Sequence, residues 1–134
     1  LCVIMVDIDY FKKINDNYGH KTGDLILYEI AQTMKNNLRV YDFIARWGGE
    51  EFLIVCPNSD YLQAYNLCLK IQELLNQKEI PEIENKKVTI SCGISQYNFD
   101  ESIDDFIKRA DDEMYKAKKS GRNCIFPKTN PLLL

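Results

Sequence analysis

The chain has 134 residues, of which 46% are hydrophobic and 28% are charged. These values are typical of one soluble globular domain. Its 17 basic and 20 acidic residues give a net charge of −3, which excludes a general attraction to nucleic acid or to an anionic membrane. No apolar run approaches the roughly 20 residues that a membrane span requires, so we expect no membrane contact from this domain.

The five cysteines are scattered, form no CxxC pair and lie mostly among apolar neighbours. This pattern is typical of buried free thiols in a reducing compartment, so we expect a cytoplasmic domain. The first residue is Leu1 rather than Met, and it lies inside a strand pattern. We therefore expect a fragment of a longer parent protein, whose other parts are free to carry a membrane anchor.

The first half of the chain alternates strand and helix patterns. Residues 1–6 form an apolar run that predicts a strand buried on both faces, and residues 10–19 predict a short helix that ends at Gly19. Residues 24–38 have the three-and-four spacing of an amphipathic helix. Residues 43–55 predict two strands joined at Gly48-Gly49, a pair that suits the primed turns of β-hairpins.

The second half predicts two longer helices and two strands. Ser59 or Asp60 caps a helix that runs to about residue 77, and residues 87–97 predict a strand in which Gly93 indicates a bulge or a close approach. Ser102 caps the last helix, which ends at Gly121 and precedes a short strand at 123–126. Its expected inward face is Ile103, Phe106, Ile107, Ala110, Met114 and Ala117. The interleaved elements favour an α/β (α+β) architecture, a mixed sheet with helices against it.

Acidic residues occur where charge is costly to bury, at the end of the first strand and in the hairpin turn. Asp7 follows the apolar strand directly, and Glu50 and Glu51 stand between two apolar strands. An acid at a strand end is commonly a solvated loop residue or a helix N-cap. If the hairpin pairs beside the first strand, however, the three acids meet and require a cation. Carboxylate oxygens favour Mg²⁺, and two such ions suit phosphoryl transfer.

Three segments, DIDYFKKINDNYGHKTGD, RWGGEEF and DEMYKAKKSGRN, carry a resemblance to a known family. Their residues, order and spacing resemble those of the GGDEF family, the diguanylate cyclase domains, in the GGEEF variant. The resemblance predicts a catalytic domain over residues 1–126 and a C-terminal tail over 127–134. The sequence departs from the family in one respect, since the helical segment with the motif DxLTxLxNR is not present before the first strand.

The resemblance implies a polymerase-palm-like, nucleotidyl-cyclase-like fold, a central mixed sheet flanked by helices. It also implies a reaction in which two GTP molecules become cyclic di-GMP with release of two pyrophosphates. Asp7, the carbonyl of Ile8 and Glu50 would hold two Mg²⁺ ions, with Mn²⁺ as an alternative. Glu50 or Glu51 would accept the proton of the 3′-hydroxyl, and the sequence leaves that choice open.

The resemblance also indicates which residues would bind GTP. Asn15 and Asp24 match positions that read the guanine edge, although Asp24 alone also suits a helix start. His20 matches a position near the nucleotide, and its alternative role is a local hydrogen bond. The helix start at 10–12 suits phosphate oxygens, and Gly49 lets a ligand approach closely. The expected substrate-binding set is Tyr10, Phe11, Lys12, Asn15, His20, Asp24, Gly49, Lys118 and Arg122.

Two of these residues have a simpler alternative. Lys118 and Arg122 would contact the triphosphate, but cations near the end of a helix also complement its dipole. A second site is implied by Arg39 and Asp42, which match the inhibitory product site of the family. By itself, this Arg-x-x-Asp pair is also consistent with a weak surface ion pair.

One domain holds only one GTP, so the reaction requires two domains that face each other with two-fold symmetry. We therefore expect a homodimer, assembled by an upstream sensory or dimerisation domain of the parent, with GTP as substrate and no nucleic-acid polymer as partner. The alternatives are a non-catalytic module that senses GTP or cyclic di-GMP and a nucleotidyl cyclase with another base. The intact acids favour an active enzyme, and Asp24 favours guanine.

Overall fold

A computed structural model describes residues 1–130, so the last four residues of the predicted tail lie outside the described part. A short 3₁₀ helix, Pro81–Ile83, precedes the fourth strand. The other elements in chain order are β1 (Cys2–Ile8), α1 (Phe11–Tyr18), α2 (His20–Lys35), β2 (Phe43–Arg46), β3 (Glu51–Cys56), α3 (Tyr61–Gln77), β4 (Ile90–Gln96), α4 (Ile103–Lys119) and β5 (Ile125–Phe126).

The five strands form one mixed sheet in the order β2-β3-β1-β4-β5. Neighbouring strands are antiparallel except β4 and β5, which are parallel. Every residue of β1 is buried, as its continuous apolar run predicts for a central strand covered on both faces. The predicted mixed sheet flanked by helices is therefore confirmed.

The two faces of β1 belong to two different hydrophobic clusters. The even-numbered residues, such as Ile4 and Val6, pack into the larger cluster with α2 and α3. The odd-numbered residues Val3 and Met5 pack against α4 through Phe106. Because successive side chains of a strand alternate between faces, Asp7 shares the α4 face with Val3 and Met5.

Helix α2 begins four residues earlier than predicted. It starts at His20 and contains Gly23, whereas the sequence indicated a start at Asp24. A Cβ atom on Gly23 would lie 1.8 Å from the side-chain oxygen of Asn15, so a larger residue there would displace the Asn15 side chain. The glycine therefore marks a contact between helices rather than a loop.

The hairpin between β2 and β3 is present, but its turn differs from the predicted primed turn. Four residues, 47–50, connect the strands, and neither Gly48 nor Gly49 has a positive φ. The Nε–H of Arg46 donates to both glycine carbonyls, at 3.2 and 3.1 Å. These bonds support a wider loop than the two-residue turn that a Gly-Gly pair suggests.

The caps of the later helices were predicted correctly, whereas one inward residue was not. The Asp60 carboxylate accepts from the N–H of Gln63 at the start of α3, and the Ser102 hydroxyl accepts from the N–H of Asp105 at the start of α4. Ile103 was expected to face the core but is 68% exposed. It is the first residue of α4, and Phe106, three residues later, is the first buried residue of the helix.

Gly93 lies at a close approach between β4 and α4, one of the two alternatives that the sequence indicated. A Cβ atom there would lie 2.0 Å from the carbonyl oxygen of Ala110 and 2.2 Å from the amide nitrogen of Met114. Both are backbone atoms of α4, so the helix cannot yield by a side-chain movement. Any larger residue therefore forces α4 away from the sheet.

We predict that Gly93→Ala lowers the free energy of unfolding by about 3 kcal/mol, the upper end of the usual overpacking range. Chemical denaturation of the wild type and the variant measures this loss. Gly49→Ala is the matched control, because a Cβ there meets no atom within 4 Å, and it should change stability by less than about 0.5 kcal/mol. Equal stabilities of the two variants would contradict the close approach.

Candidate active site

The end of β1 meets the hairpin at Asp7 and Glu51, which are directly paired across the two strands. The N–H of Ile8 donates to the carbonyl of Glu50 at 3.2 Å. Because hydrogen-bonded pairs alternate along an antiparallel ladder, Asp7 and Glu51 form a non-hydrogen-bonded pair, with Cα atoms about 4.5 Å apart and side chains on one face. The predicted meeting of the acids is therefore present.

The carbonyl of Ile8 also faces this corner, since the N–H and C=O of a strand residue point to the same side. Glu50 and Glu51 are half-buried. Neither carboxylate forms an ion pair with any residue in the part of the chain that the structure describes. Glu50, Glu51 and the Ile8 carbonyl thus lie beside Asp7, and neither glutamate is paired with a cation in the described residues.

Asp7 is 3% exposed, and within residues 1–130 its carboxylate pairs with one cation, the ammonium of Lys118 in the last turn of α4. The Nζ atom of Lys118 lies 2.5 Å from Oδ2 of Asp7. The pKa of Asp7 is raised to about 6, chiefly by burial and to a smaller extent by Glu50 and Glu51, although the bond to Lys118 lowers it. The corner therefore holds more negative charge than one lysine offsets.

A second buried acid, Asp9, lies two residues further along the chain. Its carboxylate accepts from the hydroxyls of Thr89 and Ser91, at 2.6 Å each, and from the N–H of Asn123 at 2.9 Å. Asp9 was not among the site residues predicted from the sequence. Its position two residues after Asp7, directly beyond the end of β1, was the available signal.

Tyr10 and Arg122 meet beside this corner. Tyr10 precedes α1 rather than beginning it, with a φ of 56°, and its ring is 52% exposed. The guanidinium of Arg122 lies 4.7 Å from the ring centroid, and the Nζ atom of Lys13 lies 5.0 Å from it. Lys118 binds Asp7, and Arg122, which follows the end of α4, lies against the ring of Tyr10. Each cation therefore has a side-chain partner in addition to the helix dipole that the simpler alternative invoked.

The predicted base-reading residues lie on α1 and α2. Asn15 packs against Gly23, and its Oδ1 atom is buried with no hydrogen-bond partner among residues 1–130. Asp24 is exposed one turn inside α2, so it is not the helix-start residue of the alternative interpretation. His20 is exposed at the start of the same helix, and its imidazole makes no local hydrogen bond within the described residues.

The remaining predicted residues surround the start of α1 and the hairpin tip. Phe11 begins α1, is half-buried and packs against the larger core cluster, as expected for its ring. Lys12 and Gly49 are both exposed. The space around Gly49 is open, because a Cβ there would meet nothing within 4 Å. Its backbone therefore remains accessible to a ligand.

The predicted second site lies apart from this corner, in the turn before β2. The backbone N–H of Arg39 donates to Oδ2 of Asp42 at 2.8 Å, so the two side chains do not form the surface ion pair of the simpler alternative. Oδ1 of Asp42 is buried and has no partner in the described chain. A groove of about 310 Å³ separates this turn from α3 and includes Gln63 and Lys70 among its lining residues.

The family model described as "Diguanylate cyclase, GGDEF domain" matches residues 1–124. The chain belongs to the GGDEF family. Diguanylate cyclase A of Treponema denticola is 42% identical over 135 residues, which cover 98% of this chain and 36% of that protein. This GGDEF domain therefore spans about a third of the length of that curated relative.

Solved structures support the same assignment. The active GGEEF domain of a diguanylate cyclase from Vibrio cholerae has a TM-score of 0.86 and 35% identity, over 96% of this chain and 83% of that chain. The GGDEF domain of DgcB from Caulobacter crescentus, solved in complex with c-di-GMP, has a TM-score of 0.87 and 30% identity, over 92% and 75%. The resemblance identified from the three sequence motifs is therefore confirmed.

Residues 1–130 of this GGDEF domain contain no group of three acidic, histidine or cysteine side chains arranged as a ready metal centre. The residues at the corner nevertheless fit a divalent cation. Asp7, Glu50 and the Ile8 carbonyl offer hard oxygens, and the Lys118 ammonium already takes the position of a cation at Asp7. None of the described helices has the length and apolar character needed to cross a membrane.

We predict that Asp7→Asn stabilises the GGDEF domain at pH 7.5 in metal-free buffer. The folded-state pKa of about 6 exceeds the ordinary value of 3.8, so the folded protein binds more protons between these values. The free energy of unfolding therefore falls as pH rises from 3.8 to 6 and stays lower above pH 6. Asparagine avoids this loss, which we expect to be about 1–3 kcal/mol.

Denaturant unfolding at pH 7.5 and pH 4 measures the effect, which should nearly vanish at pH 4. Asp111→Asn, at an exposed position on α4, is the control and should have little effect at either pH. A less stable Asp7→Asn protein at pH 7.5 would show that Lys118 overcompensates the burial of the carboxylate.

Proposed function

We propose that this domain is a diguanylate cyclase that condenses two GTP molecules into cyclic di-GMP and releases two pyrophosphates. The observation that carries the proposal is the corner at which Asp7 is buried opposite Glu51 and beside Glu50. Placing these three acids together raises the free energy of the unliganded protein. A nucleotide that binds together with divalent cations would lower this free energy. The relatives named as diguanylate cyclases support the same reaction.

GGDEF diguanylate cyclases are metal-dependent, and the oxygens of Asp7, Ile8 and Glu50 would hold the divalent ions here. We propose two Mg²⁺ ions, for which Mn²⁺ is an alternative. When bound, these ions offset the charge of the triphosphate and of the oxygen atoms that react. Lys118 leaves Asp7 on this view and turns to the phosphates.

The nucleotide would lie across the start of α1 and the hairpin tip. The free N–H groups of Phe11 and Lys12 suit phosphate oxygens, and the open backbone at Gly49 allows the phosphates to approach. Arg122 would complete the triphosphate contacts with Lys118. Because the ring of Tyr10 holds the Arg122 guanidinium at 4.7 Å, this cation already lies beside the start of α1.

The base would lie between α1 and α2. The buried Oδ1 atom of Asn15 is an unused acceptor, and Asp24 offers further acceptors on the neighbouring helix. Guanine presents donors at N1 and N2 that match such acceptors, whereas adenine has no N1–H. His20, exposed at the start of α2, would contribute a further contact to the nucleotide.

In the reaction, the 3′-hydroxyl oxygen of each GTP attacks the α-phosphorus of the other, and one pyrophosphate leaves at each of the two attacks. The hydroxyl proton passes to Glu50 or Glu51, and both carboxylates border Asp7. Each domain presents one nucleotide, so two copies face each other with two-fold symmetry, as a homodimer in the parent protein. We propose that an upstream sensory or dimerisation domain brings them together, in the cytoplasm, where free thiols persist.

The turn at Arg39 and Asp42 is proposed to be an inhibitory product site. The unpartnered Oδ1 of Asp42 suits a guanine donor, and the Arg39 side chain is exposed beside the groove under α3. Lys70 lines the same groove and adds positive charge that suits a phosphate. Bound cyclic di-GMP would then act at a distance from the corner, as an allosteric inhibitor.

We predict that the domain, fused to a dimerising coiled coil and supplied with GTP and Mg²⁺, produces cyclic di-GMP, and that Glu50→Gln lowers the rate by at least about 100-fold. Chromatography of the products measures both. Asp111→Asn is the control and should retain the wild-type rate.

Two outcomes would change the interpretation. If the wild type binds GTP but yields no cyclic dinucleotide, the domain is the non-catalytic sensing module. Equal use of ATP would contradict the guanine assignment to Asn15 and Asp24.

A separate prediction concerns the product site. Arg39→Ala should leave the initial rate unchanged and raise the concentration of cyclic di-GMP needed for half inhibition by about tenfold, since one charged contact is lost. Initial rates at increasing product concentrations measure this shift. Inhibition identical to that of the wild type would place the product elsewhere.

A further inference from the structure

Asp9 is a buried carboxylate that the proposed mechanism does not use. It is 4% exposed, and both of its oxygens are occupied by protein donors. The hydroxyl of Ser91 donates to Oδ1, and the hydroxyl of Thr89 and the N–H of Asn123 donate to Oδ2. Burying a charged group is costly unless such bonds compensate it, so the position is over-determined by three contacts.

One of these contacts reaches the loop between α4 and β5. Arg122 and Asn123 in this loop have φ values of 64° and 49°, a conformation that residues other than glycine rarely adopt. Two consecutive residues of this kind persist only where the surroundings fix them. The bond from the Asn123 N–H to Asp9 fixes the second of them, directly next to Arg122.

Asp9 is also linked to Arg122 through Tyr10, the next residue in the chain. Tyr10 also has a positive φ, 56°, and its ring lies against the Arg122 guanidinium. Asp9 therefore fixes both members of this cation–π pair, one through the peptide bond and one through Asn123. Its own oxygens are all turned to the protein, so Asp9 acts on Arg122 without contacting a ligand.

We propose that Asp9 is a positioning residue that holds the loop of Arg122 against the start of α1, so that the guanidinium faces the triphosphate of a nucleotide. This inference rests on the proposed function, because it takes Arg122 as a triphosphate contact. A carboxylate suits this position because its two oxygens accept from two hydroxyls and an amide at once, and its charge strengthens all three bonds.

The first test is a double-mutant cycle with Asp9→Asn and Arg122→Ala. Affinity for a fluorescent GTP analogue is measured with Mg²⁺, together with the thermal unfolding midpoint of each protein. Each single variant should weaken binding by about tenfold. If Asp9 acts through Arg122, the double variant binds no more weakly than Arg122→Ala alone.

The second test uses two serines of β4 and does not depend on how well Asp9→Asn folds. Ser91→Ala removes a hydroxyl bond to Asp9, and Ser95→Ala removes a hydroxyl bond of similar length, 2.8 Å, to the carbonyl of Phe106. Both serines are buried, and Ser91→Ala should lose the more stability, because its hydroxyl bonds a carboxylate rather than a neutral carbonyl. Only Ser91→Ala should weaken the binding of the GTP analogue, by several-fold.

The possible results separate the two proposals. Effects of Asp9→Asn and Arg122→Ala that multiply, or equal affinities of Ser91→Ala and Ser95→Ala, would overturn the positioning role while leaving the proposed function intact. A wild-type protein that does not bind the GTP analogue at all would overturn the proposed function, and the positioning role with it.

Discussion

The antiparallel pairing of β1 with β3 is the constraint on which the rest of the site depends. It ends with Asp7 directly opposite Glu51, in a non-hydrogen-bonded pair that brings the two side chains together. The pairing is fixed by the packing of both faces, since a slip of one residue would exchange the side chains that meet the two core clusters. The core therefore forces like charges into one corner, and Lys118 alone does not offset them.

Helix α4 connects this corner to the second buried acid. Its close approach to the sheet, which Gly93 permits, carries its last turn over the end of β1. Lys118 then reaches Asp7, and the loop that follows reaches Asp9. Because Asp7 lies at the end of β1 and Asp9 follows directly after it, the packing of α4 positions both a cation and a backbone amide at these acids.

Local sequence patterns predicted most of the helices and strands. The features that these patterns did not predict depend on contacts between distant segments. The apolar run of β1, the helix periodicities and the caps at Asp60 and Ser102 depend on neighbouring residues, which the sequence displays. The early start of α2 and the wide hairpin turn depend instead on Asn15 packing against Gly23 and on Arg46 binding two carbonyls. Asp9 was missed for the same reason, since its three donors come from segments 80 or more residues away.

The acids near Asp7 explain why a metal and a nucleotide belong together in the proposed reaction. A triphosphate is strongly anionic, and Asp7, Glu50 and Glu51 would repel it if they were ionised. Lys118 and Arg122 supply two positive charges, and the first of these is already used by Asp7. Divalent cations that accompany the nucleotide remove the repulsion on both sides, whereas either ligand alone leaves uncompensated charge. Metal and GTP should therefore increase each other's affinity, a coupling that follows from the charge of the corner alone.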